Sequence, residues 1–244
     1  KGYGVGTTLP APNSTTVSGY TDCKGHGFEP WPVRNAELSK ASSANLATAT
    51  WDSLNTYYAH LEQRVGLCDS VRTAQRFGMR QANGRPLQQV PAQVLGTGDI
   101  DVTHLAAAYA AFADHGRYCT PIAINDVTDA SGKKIDVPKA ECGRAVDTGV
   151  ADEVTRILQG VLTKGTGRGM GIGRPAAAKT GTCEGFSCAA FAGYTPGLAA
   201  AVWYGDPAAP FGDPSPGVFG ADVGPIWRAS MEGALRDTAP APFN

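Results

Sequence analysis

The stretch from Pro175 to Tyr204 constrains the fold more than any other part of this 244-residue chain. Three runs, Ala176 to Thr182, Ala189 to Tyr194 and Leu198 to Tyr204, are built from small apolar, β-branched and aromatic residues. Short turn-forming segments separate them, the second being Thr195-Pro196-Gly197. That spacing predicts three adjacent antiparallel strands joined by hairpins. Helical periodicity lies on both sides. Leu54, Tyr57, Tyr58, Leu61 and Val65 recur at helical spacing from Thr50 to the stop at Gly66, with Ser53 and Asn55 at the start of that helix. Cys68 to Phe77 reads as a second helix closed by Gly78. Thr103 is placed as the cap of a third, Leu105 to Asp114, which is apolar nearly all round and therefore expected to be buried. Asp152 to Leu162 is an amphipathic fourth, stopped by the glycine-rich run 165–173, and Pro225 to Leu235 closes the chain. Residues 118–137 alternate and turn at Asp129-Ala130-Ser131-Gly132, a hairpin signature, whereas residues 1–33 show no sustained period and are read as irregular. Helices before and after hairpin-connected strands predict one layered α/β domain with a mainly antiparallel sheet.

Charge and hydropathy remove whole classes of function. With 21 Lys and Arg against 22 Asp and Glu, the chain has no basic surplus with which to neutralise phosphates, so no nucleic-acid partner is expected. The longest apolar run, Leu105 to Ala113, has nine residues, about half of what a membrane-spanning helix requires. Any membrane attachment would have to come from an anchor upstream of residue 1.

Six cysteines, Cys23, Cys68, Cys119, Cys142, Cys183 and Cys188, include no Cys-x-x-Cys pair, and Cys23 with His26 is only half of a ligand pattern, so no metal site is predicted. Six cysteines allow 15 pairings. Cys183 and Cys188 lie five apart around Gly185, a spacing that suits a bridged tight hairpin. Cys119 and Cys142 flank the 118–137 hairpin, which leaves Cys23 with Cys68 by elimination. Bridges of this kind imply an oxidising, extracytoplasmic compartment; buried free thiols of a cytosolic protein are the alternative.

The chemistry centres on Lys179-Thr180-Gly181-Thr182, on the first of the three strands. Gly173 to Thr180 is one residue short of a phosphate-loop pattern, Ala178 standing where its second Gly belongs. Context rejects that reading: Pro175 falls inside the would-be loop, and a strand and hairpin follow Lys179 instead of the helix whose N-terminus would hold phosphates. Lys-Thr-Gly on a strand is instead one of the motifs of penicillin-binding proteins and β-lactamases, with Ser-x-x-Lys and a Ser-x-Asn element. The likeness extends through Phe191-Ala192-Gly193-Tyr194-Thr195-Pro196 and Val202-Trp203-Tyr204-Gly205-Asp206. Upstream it takes in Asp52-Ser53-Leu54-Asn55-Thr56 and the segment from Gly96-Thr97 to Gly116. From about residue 30 to residue 235 the chain resembles the transpeptidase domain of bifunctional, class A penicillin-binding proteins, which implies the penicillin-binding-protein/β-lactamase-like fold. A second triplet, Ser43-Ala44-Asn45, competes for the Ser-x-Asn role. Ser53-Leu54-Asn55 is preferred because Thr56-Tyr57-Tyr58 follows and starts a helix that aims both side chains one way.

What the resemblance implies is specific. Ser53 would relay the proton between an attacking serine and the leaving amine, and Asn55 would hold the substrate's peptide carbonyl. Lys179 would supply positive charge near the substrate's terminal carboxylate, and the hydroxyls of Thr180 and Thr182 would bind it. Gly181 would let the substrate backbone come close, and the Thr182 N–H would be one of two oxyanion donors. No metal or organic cofactor is implied; the implied partners are peptidoglycan stem peptides and β-lactams. One family element has no match: the single Ser-x-x-Lys, Ser131-Gly132-Lys133-Lys134, falls in a hairpin turn. In the family the nucleophile helix precedes a segment like Lys1-Gly2-Tyr3-Gly4, so the catalytic serine, with any glycosyltransferase domain, is expected upstream in the same protein. Two rivals to a D,D-transpeptidase are a hydrolase, either a D,D-carboxypeptidase or a β-lactamase, and a homologue that binds muropeptides or β-lactams without reacting.

Overall fold

A computed structural model describes residues 2–208 and 217–243. Lys1 and most of the Pro- and Gly-rich loop before the last helix lie outside the described residues. The chain runs β1 (Thr8–Pro10), β2 (Ser14–Val17), β3 (Trp31–Arg34), β4 (Ser43–Asn45), α1 (Leu46–Trp51), α2 (Asn55–Val65), α3 (Leu67–Arg76) and α4 (Val102–Ala113). It continues through β5 (Arg117–Cys119), β6 (Val127–Thr128), β7 (Lys134–Ile135), β8 (Cys142–Arg144), α5 (Thr148–Thr163), β9 (Ala177–Thr182), β10 (Cys188–Thr195), β11 (Leu198–Gly205) and α6 (Gly220–Ala234).

The three predicted strands form one antiparallel sheet in the order β11-β10-β9, with Phe191 opposite Thr180 and Ala192 opposite Lys179. Side chains alternate between its faces. On one face Ala178, Ala189 and Phe191 pack with Val223, Trp227 and Met231 of α6. On the other, Ala177 and Tyr194 pack with Leu158 and Val161 of α5, and Tyr194 meets the rings of Tyr109 and Phe112 from α4. Helix, sheet and helices therefore form three layers. A second core, Val17, Tyr20, Val33, Ala59, Leu67, Val71 and Leu87, holds α2 and α3 to the β2–β3 ribbon.

All three cysteine pairs are bridged: Cys23 to Cys68, Cys119 to Cys142 and Cys183 to Cys188. The 118–137 hairpin also forms, as β6–β7 inside the β5–β8 pair. At its turn the Asp129 carboxylate accepts from the Ser131 backbone N–H and hydroxyl and from the Lys133 N–H. Ser131 is thus a turn residue.

Five expectations are corrected. The helix read from Thr50 to Val65 is two helices, because Ser53 adopts a left-handed φ of 54° between α1 and α2. Residues 1–33 are not wholly irregular; they contain strands of three or four residues, too short for a period to show. Asp101, not Thr103, caps α4, accepting from the His104 N–H at 2.9 Å. That helix is also only half covered. Ala108 and Ala111 are buried, but Ala106, Ala107 and Ala110 line a groove of about 470 Å³ with Leu198 and Ala199. Finally, α6 begins five residues before Pro225, where the Asp222 carboxylate accepts from the Phe219 N–H.

Candidate active site

Lys179 sits on β9 facing the α5 side of the sheet, half-buried, with its ammonium set deep among protein atoms. The ammonium donates to Ser53 Oγ at 2.8 Å and to the Thr180 carbonyl oxygen at 2.8 Å, with Thr180 Oγ1 at 3.4 Å. Desolvation disfavours the charged form and lowers its pKa from 10.5 to about 8. Because the ammonium fills an acceptor site on Ser53, the Ser53 hydroxyl proton is directed to some other acceptor. A lysine near its own pKa, bonded to a hydroxyl, is a proton relay in form.

Ser53 reaches this position through the break between α1 and α2. Leu54 anchors the break, buried at 2% exposure and hydrogen-bonded through its N–H to the Ala49 carbonyl. A left-handed non-glycine residue costs on the order of 1 kcal/mol or more, and such strain concentrates at functional sites. The competing Ser43 lies in β4, and Asn45 accepts from the Thr48 N–H as the cap of α1, so that triplet has a local structural role. Asn55, the first residue of α2, donates to the Arg34 carbonyl at 3.0 Å; among the described contacts no hydrogen bond joins it to Lys179.

β9 is the edge of its sheet. Cys183 N–H bonds to Cys188 C=O, which makes Gly181 with Ala190 and Lys179 with Ala192 the hydrogen-bonded pairs. The backbone N–H and C=O of Thr180 and Thr182 therefore point to the open edge, where an extended peptide could add as a strand. Thr182 Oγ1 accepts from the Gly220 N–H at 3.0 Å, tying the strand end to the start of α6. Thr180 is buried, and its hydroxyl lies 2.6 Å from that of Thr166. Thr166 was not legible as a site residue, because it sits in the glycine-rich run after α5 and carries no motif. The Cys183–Cys188 bridge closes the loop after Thr182, and Glu184 on that loop faces Arg34 across 3.5 Å. Among the described residues no group of three or more His, Cys, Asp or Glu could hold a metal.

Comparison with known proteins places this geometry. Residues 7–206 match the family model described as penicillin binding protein transpeptidase domain. Penicillin-binding protein 1A of Mycolicibacterium smegmatis is 31% identical over 232 residues, covering 84% of this chain and 29% of that protein; the Mycobacterium tuberculosis protein of the same name is 29% identical. The chain thus spans less than a third of the length of these curated relatives. A structure of the PonA1 protein from Mycobacterium tuberculosis in complex with penicillin V superposes with a TM-score of 0.78 at 27% identity, covering all of this chain and 67% of that one. Penicillin-binding protein 1A from Haemophilus influenzae shares the fold, with a TM-score of 0.83 at 19% identity, covering all of this chain and 41% of that one. With a family model over most of its length and its motifs on the strand and helix break just described, the chain belongs to the transpeptidase domain family of the penicillin-binding proteins.

Proposed function

We propose that this chain is the C-terminal part of a serine D,D-transpeptidase domain that cross-links peptidoglycan stem peptides and is acylated by β-lactams. One observation carries the reading: the Lys179 ammonium is hydrogen-bonded to Ser53 Oγ beside the open edge of β9. A stem peptide lying along that edge would use the Thr182 N–H as an oxyanion donor and the Thr180 and Thr182 hydroxyls as partners for its terminal carboxylate. The attacking serine would give its proton to the lysine of its own segment, while Ser53, its Oγ held by the Lys179 ammonium, would hand its hydroxyl proton to the leaving D-Ala amine and be reprotonated from that lysine. Asn55 would swing from Arg34 to the substrate's peptide carbonyl.

The nucleophile and its lysine belong, in this reading, to a segment of the same protein outside these 244 residues. Its place is on the α5 side of the sheet, where Ala190 and Ala201 are half-buried and Trp203 is 40% exposed. Three disulfides support an extracytoplasmic location. No helix among the described residues is long and apolar enough to cross a membrane, so the anchor too would lie on that outside segment.

Labelling with a fluorescent penicillin tests the reading. The full-length protein should form a covalent adduct on a serine outside this chain, and the 244-residue chain alone should form none. An adduct on Ser53 of the isolated chain would overturn the assignment of roles. A full-length protein that binds penicillin without acylation would make the domain a binder instead.

A further inference from the structure

We infer that Thr166 is a positioning residue that orients the Thr180 hydroxyl toward the substrate carboxylate and couples β9 to the Ser53 break; this rests on the reading above, in which Thr180 takes that carboxylate. Counting donors and acceptors leads to it. A threonine hydroxyl has one proton to give and two lone pairs to receive. Thr180 Oγ1 lies 2.6 Å from Thr166 Oγ1 and 3.4 Å from the Lys179 ammonium. With Thr166 donating and Lys179 approaching from its own side, both lone pairs of Thr180 are engaged, and its single proton is left to donate to an anion. Hydrogen bonds aligned in this way reinforce one another.

Thr166 is itself fixed from the other wall of the site. Its N–H donates to the Trp51 carbonyl at 3.0 Å, two residues before Ser53. The preceding residue must be glycine for that approach, because a Cβ at Gly165 would stand 2.4 Å from the Trp51 carbonyl oxygen. Trp51 is locked in turn: its indole N–H donates to the Ile157 carbonyl at 2.8 Å, and Lys164 lies over its ring at 4.6 Å. One residue therefore touches the end of α1 through its backbone and the Lys179-Thr180 strand through its side chain.

The test uses the full-length protein and compares acylation by a penicillin free acid with acylation by its methyl ester, which lacks the anion. Wild type should react faster with the acid. In Thr166→Val that acid-to-ester ratio should fall by about five- to tenfold, the scale of one neutral hydrogen bond, while Thr166→Ser, which keeps the hydroxyl, should restore it. Thr166→Ala, which removes the hydroxyl without putting a methyl group in its place, should lower the ratio as Thr166→Val does; a loss confined to Val would be steric and would overturn the inference. In a Thr180→Val background, Thr166→Val should cost little more, because the residue acts through Thr180. An unchanged ratio, equal losses for acid and ester, failure of Ser to restore, or additive losses would each overturn the inference alone. A wild-type ratio near one would instead overturn the carboxylate role given to Thr180 above.

Discussion

Lys179 exchanges a proton near the pH at which the site must work, because burial has brought its pKa from 10.5 to about 8. Two effects of pH can be separated by their sign. If the ammonium is the working form, acylation of the full-length protein falls as pH rises through about 8, where an unperturbed lysine would hold the rate level to about 10.5. Stability moves the other way. Between about 8 and 10.5 the unfolded chain binds more protons at this position than the folded one, so this group's contribution to stability rises with pH across that window. A rate that falls while the urea midpoint holds or climbs is therefore chemistry and not unfolding. Lys179→Ala should cut acylation by roughly a hundredfold, the scale of losing a preorganised electrostatic contact, and should leave folding nearly intact. A rate level to pH 10, or a variant that labels normally, would refute the role given to this lysine.

Helix α2 carries a second buried titrating group, Glu62, well along from Asn55 at its start. Glu62 is 1% exposed, and both of its carboxylate oxygens lack a hydrogen-bond partner among the described contacts. Burial pushes its pKa up to about 8. Below the unfolded value near 4.5 both states are protonated and nothing is lost; as pH rises toward 8 the unfolded chain releases its proton first and stability declines. Glu62→Gln should flatten that decline and stabilise the protein at pH 8 by on the order of 2 kcal/mol, read as a higher urea midpoint at pH 8 than at pH 5 relative to wild type. An equal shift at both pH values would assign the effect to packing. Elements differed in how far the sequence revealed them, for physical reasons. β9, β10 and β11 lie within a residue of their expected bounds, because apolar runs between turn formers leave little freedom. The break at Ser53 was hidden, because the apolar spacing from Leu54 to Val65 continues the pattern of α1 and no Gly or Pro marks the left-handed turn. Thr166 was hidden for the opposite reason: its surroundings are all punctuation, and only the fold shows that Thr180 lies against it.

Across the whole molecule the three bridges staple chain segments of very different span, and this separates stability from function. Cys119–Cys142 and Cys183–Cys188 could be read from hairpins that the sequence marks locally. Cys23–Cys68 followed only by elimination, because it joins α3 to the loop between β2 and β3, a contact made by the packing of the second core. Sequence separations are 45, 23 and 5 residues for Cys23–Cys68, Cys119–Cys142 and Cys183–Cys188. Loop-closure entropy makes their contributions about 4, 3.5 and 2 kcal/mol in the same order. Paired Cys→Ala variants of the full-length protein should lower the urea-derived stability in that sequence, with Cys23–Cys68 costing most. Acylation by penicillin should rank them differently. Cys183 directly follows Thr182, and its bridge holds the loop at the end of the strand along which substrate is proposed to lie, whereas the 119–142 bridge closes a peripheral ribbon. At a temperature where all three variants remain folded, loss of the 183–188 bridge should slow acylation most while costing least stability. If the acylation losses instead follow the stability losses in order, the bridge beside Thr182 acts only as a staple, and the site draws its rigidity from elsewhere.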